Sequence, residues 1–185
     1  HLPTTIYSRY PIHSVKALYH KNSSNMSLIA DVRINNQYIR VINNHFETTN
    51  VNAYRGIITA PDKSLKIRAK AVKNLILQMK DNNRKRAIQA DSIHAEIQRS
   101  PYPVIVCGDF NDTPASYTYH RVKKGLTDGF QDVGNGYQYT FRQLYRLWRI
   151  DYVFYSESLK GQDCFSPDVS YSDHNMVVWR GCVKN

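Results

Sequence analysis

Four small polar clusters stand at or beside the apolar runs of this chain: Asn43 with His45, Asp109 with Asn111, Asp151 by itself, and Asp173 with His174. Their types permit a definite chemistry. The carboxylates of Asp109 and Asp173 offer the oxygen ligands that a hard divalent cation such as Mg²⁺ prefers. His174 is of the type that accepts a proton near neutral pH, and a carboxylate can orient it. Asn111 and Asn43 can each donate a side-chain amide to an anionic oxygen. Polar groups in or beside apolar strands cost free energy unless satisfied, and a crevice at strand ends is where such placement has a use. Each cluster also has an ordinary structural reading. A histidine after a strand is commonly structural, Asp151 could pair with Arg149 or cap a turn, and Gly108-Asp109-Phe110-Asn111 could be a plain turn.

The elements that must carry these residues follow from periodicity. Leu28, Ala30, Val32 and Ile34 alternate with Ile29, Asp31 and Arg33, the period of a strand. Asn35-Asn36 is a tight turn, and a second strand over 38–43 completes a hairpin that delivers Asn43-Asn44-His45 at its end. Residues 48–63 read as irregular, with Gly56 and Pro61 as breakers. A helix is expected from Asp62 or Ser64, with Leu65, Ala69, Val72, Ile76 and Met79 as one apolar stripe. Asp81-Asn82-Asn83 interrupts it, and a second helix over 84–99 turns Ala87, Ala90, Ile93 and Ile97 inward. Ser100-Pro101-Tyr102-Pro103 ends that helix, and 104–107 is a buried strand. Thr113-Pro114 reads as a cap and first position of a short helix that stops by Gly125. Gly129, Gly134 and Gly136 mark loops. A strand over 150–155 carries Asp151, and Ser172-Asp173-His174 feeds a last strand over 176–179. Strands and helices alternate, which argues for an α/β arrangement.

Composition narrows the chemistry. The 185 residues fit one domain, and 42% hydrophobic content supports a real core. No apolar run approaches the roughly 18 residues of a transmembrane span, and no signal-peptide pattern is visible. A net charge of +10 favours anionic partners: phosphate esters, nucleic acids or anionic lipid surfaces. The three cysteines form no C-x-x-C pair, although Cys164 and Cys182 could bond to each other. H-E-x-x-H and G-x-S-x-G are both absent, which argues against a zinc protease or a serine hydrolase.

Order and content together are more informative than any one cluster. Asn43-Asn44-His45, Gly108-Asp109-Phe110-Asn111, Arg149-Ile150-Asp151-Tyr152 and Ser172-Asp173-His174 follow one another in that sequence. The set resembles the endonuclease/exonuclease/phosphatase superfamily, whose members are DNase I-like, and Ser8-Arg9-Tyr10-Pro11-Ile12 is similar to a further segment of its pattern. The resemblance covers essentially the whole chain. It implies a four-layer α/β sandwich of two sheets flanked by helices. It also implies a divalent-metal-dependent phosphoester hydrolase, with Mg²⁺ as cofactor and Mn²⁺ or Ca²⁺ as alternatives. On that reading His45, Asp109, Asn111, Asp151 and His174 are catalytic. Asn43, Asn111 and His45 contact the phosphate, and Asp173 and Asp109 bind metal. Asp151 is the carboxylate that orients His174, while the division of labour between Asp109 and His174 stays open. Both Asp109 and Asn111, alternate residues of an extended segment, would reach one phosphate.

Two family motifs find no match: an asparagine on the first strand, and a glutamate that ligates metal. Glu47, just after His45, is in the wrong position to replace it. The expectation is therefore a single domain over 1–185, incomplete at its N-terminus, opening on His1 as part of a longer protein, with an exposed sheet edge and apolar surface. The substrate is expected to be a phosphate ester, with nucleic acid favoured mildly by the charge and the 14 tyrosines. Phosphatase or sphingomyelinase-type action on inositol phosphates or lipids is the alternative, and a non-catalytic phosphate- or nucleic-acid-binding relative is another. The run Arg84-Lys85-Arg86 reads as a solvated helix end. The aromatic and arginine-rich segment 137–148 either walls the substrate cleft or packs a loop.

Overall fold

In the computed structural model, which describes residues 4–49, 51–143 and 146–184, the alternating segments form an antiparallel meander. The expected opening segment from His1 and the aromatic segment around residues 144–145 thus lie partly outside the described residues. Strand β1 (Ile12–Tyr19) pairs with β2 (Met26–Ile34), and β2 pairs with β3 (Gln37–His45) through the expected turn. Asn35 takes φ +55° there, a left-handed conformation asparagine tolerates. β1 was not legible as a strand: nearly all of it is exposed on both faces, so its apolar residues lack a period.

Between β3 and the parallel strand β4 (Val104–Asp109) runs a helical crossover. Three expectations fail here. Residues 51–58 are helical, α1 (Val51–Ile58), and Gly56 sits inside it without breaking it. Asp81-Asn82-Asn83 does not divide two helices. One helix of 34 residues, α2 (Leu65–Gln98), runs through it from the N-cap Ser64. Asn82 is 3% exposed, and its amide donates to Thr48 O (3.0 Å) and Thr49 Oγ1 (3.2 Å). A polar residue that looked like an interruption is a buried anchor. The third concerns the basic run. Arg86 is buried, reaching Asp112 (3.2 Å), Glu47 O (2.9 Å) and Thr49 Oγ1 (3.2 Å).

Past β4, the short helix α3 (Tyr117–Lys123) is capped by Ser116, whose hydroxyl accepts from Tyr119 N, and not by Thr113. Gly129 lies in no loop. It follows β5 (Thr127–Asp128) and opens α4 (Gly129–Val133), which Asp128 caps. β6 (Asp151–Tyr155) comes next, then β7 (Leu159–Phe165), unread in the sequence, and β8 (Val178–Val183), displaced C-terminally from the expected 176–179.

The order β1-β2-β3-β4-β6-β5 makes one six-stranded sheet, and β7-β8 makes a second. Alternate residues of the large sheet face opposite ways. Ile29, Ile42, Val106 and Phe154 point to one face, where Ala90, Ile93 and Ile97 of α2 and Tyr119 and Val122 of α3 close the main core. Ile39, Ile105 and Tyr155 point to the other, against Leu159, Trp179 and Val183 of the small sheet. This is the expected α/β, two-sheet arrangement. The small sheet covers only part of its face. Beyond it, a trough of about 390 Å³ is lined by Asn43, Cys107, Gly108 and Val153. All three cysteines are free thiols, Cys164 buried and Cys182 exposed.

Candidate active site

The register of the large sheet gathers the site. His45, the last residue of β3, is the Cα partner of Asp109, the last residue of β4. Asp109 is in turn the partner of Asp151, the first residue of antiparallel β6. Three polar side chains therefore stand in one row across three neighbouring strands, where cross-strand Cβ atoms lie ~5 Å apart. They share the face of Ile105 and Cys107, while the intervening Phe46 and Phe110 turn into the core.

His174 reaches the row from the loop before β8. Its Nδ1 lies 2.9 Å from Asp151 Oδ2, and its backbone N donates to Ser172 Oγ (3.1 Å). His45 Nε2 sits 3.9 Å from Asp109 Oδ2. Both oxygens of Asp109 accept from Asn111, Oδ1 from the backbone N (2.7 Å) and Oδ2 from the side-chain amide (2.9 Å). Next to them opens a cleft of about 390 Å³ lined by His45, Thr48, Asp109, Asn111, Phe141, Trp148, Asp173 and His174.

Placing two carboxylates and an imidazole together shifts their proton affinities. Burial raises the Asp109 carboxyl, and the negative charge of Asp151 adds to it, bringing it to about 7. For His174, burial favours the neutral ring, but the hydrogen bond and charge of Asp151 outweigh it, helped by Asp109 and Asp173, and raise it to about 9. His45 is lowered by burial and by His174. Asp109, Asp151 and His174 each offer a ligand atom within 4.8 Å of the others. The donor set fits a hard cation: two carboxylates pressed together in a half-buried cleft carry a repulsion that a divalent ion would relieve. Asp173 stands exposed on the cleft rim and is not one of the three.

The sequence model of the Endonuclease/Exonuclease/phosphatase family matches residues 4–174, nearly the whole chain. The chain belongs to the endonuclease/exonuclease/phosphatase family. Solved structures of the family share its fold at low identity. An endonuclease/exonuclease/phosphatase from Bacteroides vulgatus is 16% identical with a TM-score of 0.63, over 95% of this chain and 67% of that one. A mannosyl-6-phosphatase from Bacteroides thetaiotaomicron is 15% identical with a TM-score of 0.59, over 93% and 67%. D. rerio TDP2 complexed with a single-stranded DNA product is 14% identical with a TM-score of 0.60, over 94% and 68%. The chain thus spans about two thirds of the length of these structures. No curated protein matches it by sequence.

Against the family pattern, the structure lines one cleft with His45, Asp109, Asn111, Asp173 and His174, while Asp151 lines the adjoining trough, which His174 also borders. Asn43 is set apart. It faces the adjoining trough, with its amide donating to Thr5 O (2.9 Å). The extended geometry expected for Asp109-Phe110-Asn111 is wrong: Asn111 has φ +51° and folds back, its amide also donating to Phe46 O (3.0 Å). The amide that was to bind phosphate locks the β4 exit onto the β3 exit. The motif's glycine has a steric reason. Gly108 has φ +124°, and a Cβ there would lie 2.0 Å from Asn44 O. Glu47 is committed elsewhere, to Ser23 and Lys85 (3.0 Å).

Sequence reading missed Thr140, which is fully buried. Its hydroxyl accepts from Ile150 N (2.9 Å) and Asp151 N (3.0 Å), and its carbonyl accepts from Asn175 N (2.7 Å). One residue therefore ties the start of β6 to the residue after His174, fixing both members of the Asp151–His174 pair. A lone threonine in an aromatic, basic segment carries no signal of this. Within the same segment, Phe141 and Trp148 line the cleft beside Asp109.

Proposed function

We propose that the protein is a divalent-metal-dependent phosphodiesterase whose reacting phosphate occupies the cleft of His45, Asp109 and His174. The observation that carries this reading is the row His45–Asp109–Asp151 closed by the Asp151–His174 hydrogen bond. Asp109 and Asp151 would hold the cation, with Asp173 of the rim able to approach it. A bound Mg²⁺ would supply charge neutralisation at the phosphate and a lowered pKa for water. The remaining work falls to the chain. Asp151 fixes the His174 ring by its Nδ1, which leaves Nε2 to exchange a proton in the cleft. His45, kept neutral by burial, is suited to donate a hydrogen bond to a phosphate oxygen or the leaving group. Asn111 holds Asp109 in place by two hydrogen bonds. Phe141 and Trp148 give the cleft an aromatic wall on which a base or another apolar leaving group can lie.

The net charge and this wall favour a nucleic acid over a small sugar phosphate. Hydrolysis of bis(p-nitrophenyl) phosphate by the full-length protein, with Mg²⁺ and then with excess chelator, tests the reaction class. Rates on DNA, RNA, sphingomyelin and inositol phosphates test the substrate. Turnover that depends on metal and falls by orders of magnitude in Asp109→Ala and His174→Ala, with the fold intact, is the expected result. Metal-independent or absent turnover would reject the proposal, and activity confined to lipid or inositol phosphates would reject its nucleic-acid part.

A further inference from the structure

The outer half of α2 is a strange thing for a globular domain to leave in water. The inner half buries Gln89, Ala90, Ile93 and Ile97, but before Asn82 only Ala71 is buried, and this stretch packs against α1. The stripe Leu65, Ala69, Val72, Ile76 and Met79 is open along its length: Leu65 is 81% exposed and Ile76 60%. Lys66, Lys73 and Lys80 repeat every seventh residue, so they form one row beside the stripe. Between Lys63 and Lys80 there are six basic residues and no acidic one.

We infer that this helical arm docks on an anionic lipid surface, stripe inward and lysines toward the headgroups. An apolar face flanked by a row of lysines is the pattern of a helix lying in a membrane interface, where long lysine stems reach out of the apolar layer. Nucleic acid would satisfy the lysines and leave the stripe wet. A second copy of the chain would cover the stripe, whose 4-3 spacing is also that of a coiled-coil seam. The seam's flanks, however, are Lys66, Lys73 and Lys80 on one side and Arg68, Leu75 and Asn82 on the other, with no carboxylate to pair across. Only a surface both apolar and anionic answers both features. No described helix is long and apolar enough to cross a membrane, so the arm lies on the surface. Its root is at the cleft: α1 starts at Val51, which lines the cleft with Thr48 and Thr49, and Asn82 of α2 holds both threonines. Docking would hold the cleft at the root of the bound arm. The inference stands apart from the proposed hydrolysis, because it is read by binding.

The test is co-sedimentation of the 185-residue chain with vesicles of phosphatidylcholine alone or with roughly 30% phosphatidylserine. Binding to the anionic vesicles should exceed binding to the neutral ones by at least about tenfold, and should weaken in ~0.5 M salt. Leu65→Asp with Ile76→Asp, and separately Lys66→Gln with Lys73→Gln and Lys80→Gln, should each cost about tenfold or more, with circular dichroism unchanged. Lys21→Gln with Lys160→Gln, exposed lysines elsewhere, should bind as the parent does. Equal binding to both vesicle types would overturn the inference. So would full binding by the Leu65/Ile76 variant, which would leave net charge as the whole cause. A dimer in light scattering that the Leu65/Ile76 variant dissolves, without vesicle binding, would instead assign the stripe to a second copy.

Discussion

Replacing Asp151 by asparagine should lower the proton affinity of His174 by about two to three orders of magnitude. The side chain keeps its shape and loses its charge. In the native site burial disfavours the imidazolium, and the hydrogen bond and charge of Asp151 overcome that effect to hold His174 near 9. With Asp151 neutral, burial is opposed only by the more distant Asp109 and Asp173, so the midpoint should fall to 6.5 or below. At pH 7.5 roughly one His174 in thirty is neutral before the change and about nine in ten after it. A fall from about 9 to 6.5 corresponds to about 3.4 kcal/mol of interaction before solvent screening, which reduces it because the ring is 28% exposed. Its sign in stability follows. The folded state binds the His174 proton more tightly than the unfolded chain, so this contribution is fully present below pH 6.5 and is lost as pH rises through about 9. The assay is an NMR titration of the His174 ring in chelator, with His174→Gln to identify the signal. A native midpoint near 6.5, or one that Asp151→Asn leaves in place, would refute the coupling.

The remaining expectations concern the groups that hold the site. Thr140→Val keeps the volume but leaves the N–H groups of Ile150 and Asp151 without an acceptor. It should cost about 1–3 kcal/mol in urea denaturation and lower turnover as well, whereas Thr140→Ser should restore both. Gly108→Ala forces a Cβ onto Asn44 O at a positive φ and should cost about 3 kcal/mol or more by the same measurement. Arg149→Met removes the counter-charge of the buried Asp128 carboxylate and its two bonds of 3.1 and 2.7 Å, leaving the donors Tyr119, Phe130 N and Gln131 N, and should destabilise by about 3 kcal/mol. His20, 7% exposed, is lowered by burial to about 4, so the unfolded state takes up the proton first. Stability should therefore decline as pH falls from 6.5 toward 4, and the decline should shrink in His20→Gln.

Which features were legible in the sequence depended on whether a residue's role was local. The β2–β3 hairpin was readable because alternation and an Asn-Asn turn are local signals, and the site motifs were readable because each is a short run of residues that keeps its order along the chain. Asn82 and Arg86 misled because their partners, Thr48, Thr49, Glu47 and Asp112, are distant in sequence. A polar residue that anchors a loop from inside a helix looks identical, in sequence, to one that ends the helix. Gly56 misled for a weaker reason: one glycine costs a helix only ~1 kcal/mol, which packing against α2 can offset. Ser116 took the cap expected at Thr113 because the helix starts three residues later. Asn111 was read as extended where the turn that the same residues allow is what forms: its φ is +51°, and Asp109 Oδ1 accepts from its backbone N (2.7 Å).

Convergence of the site is a matter of topology. β3 and β4 are parallel, so both end on the same edge of the sheet, and β6 is antiparallel, so it starts there. His45, Asp109 and Asp151 meet because one polar residue was placed at each of these three tips. A parallel pair demands a crossover, and a dozen or so residues suffice for one. The crossover from His45 to Val104 is several times longer, and its sheet-covering function is discharged by the inner half of α2 alone. The surplus is the exposed arm, where apolar surface is left uncovered and basic residues far outnumber acidic ones, Asp62 pairing with Lys63 at its start (3.1 Å). If the surplus were only a long connection, Leu65→Asp and Ile76→Asp should stabilise or leave unchanged both fold and binding. Loss of vesicle binding in that variant, at unchanged stability, is the outcome that separates a docking element from slack chain.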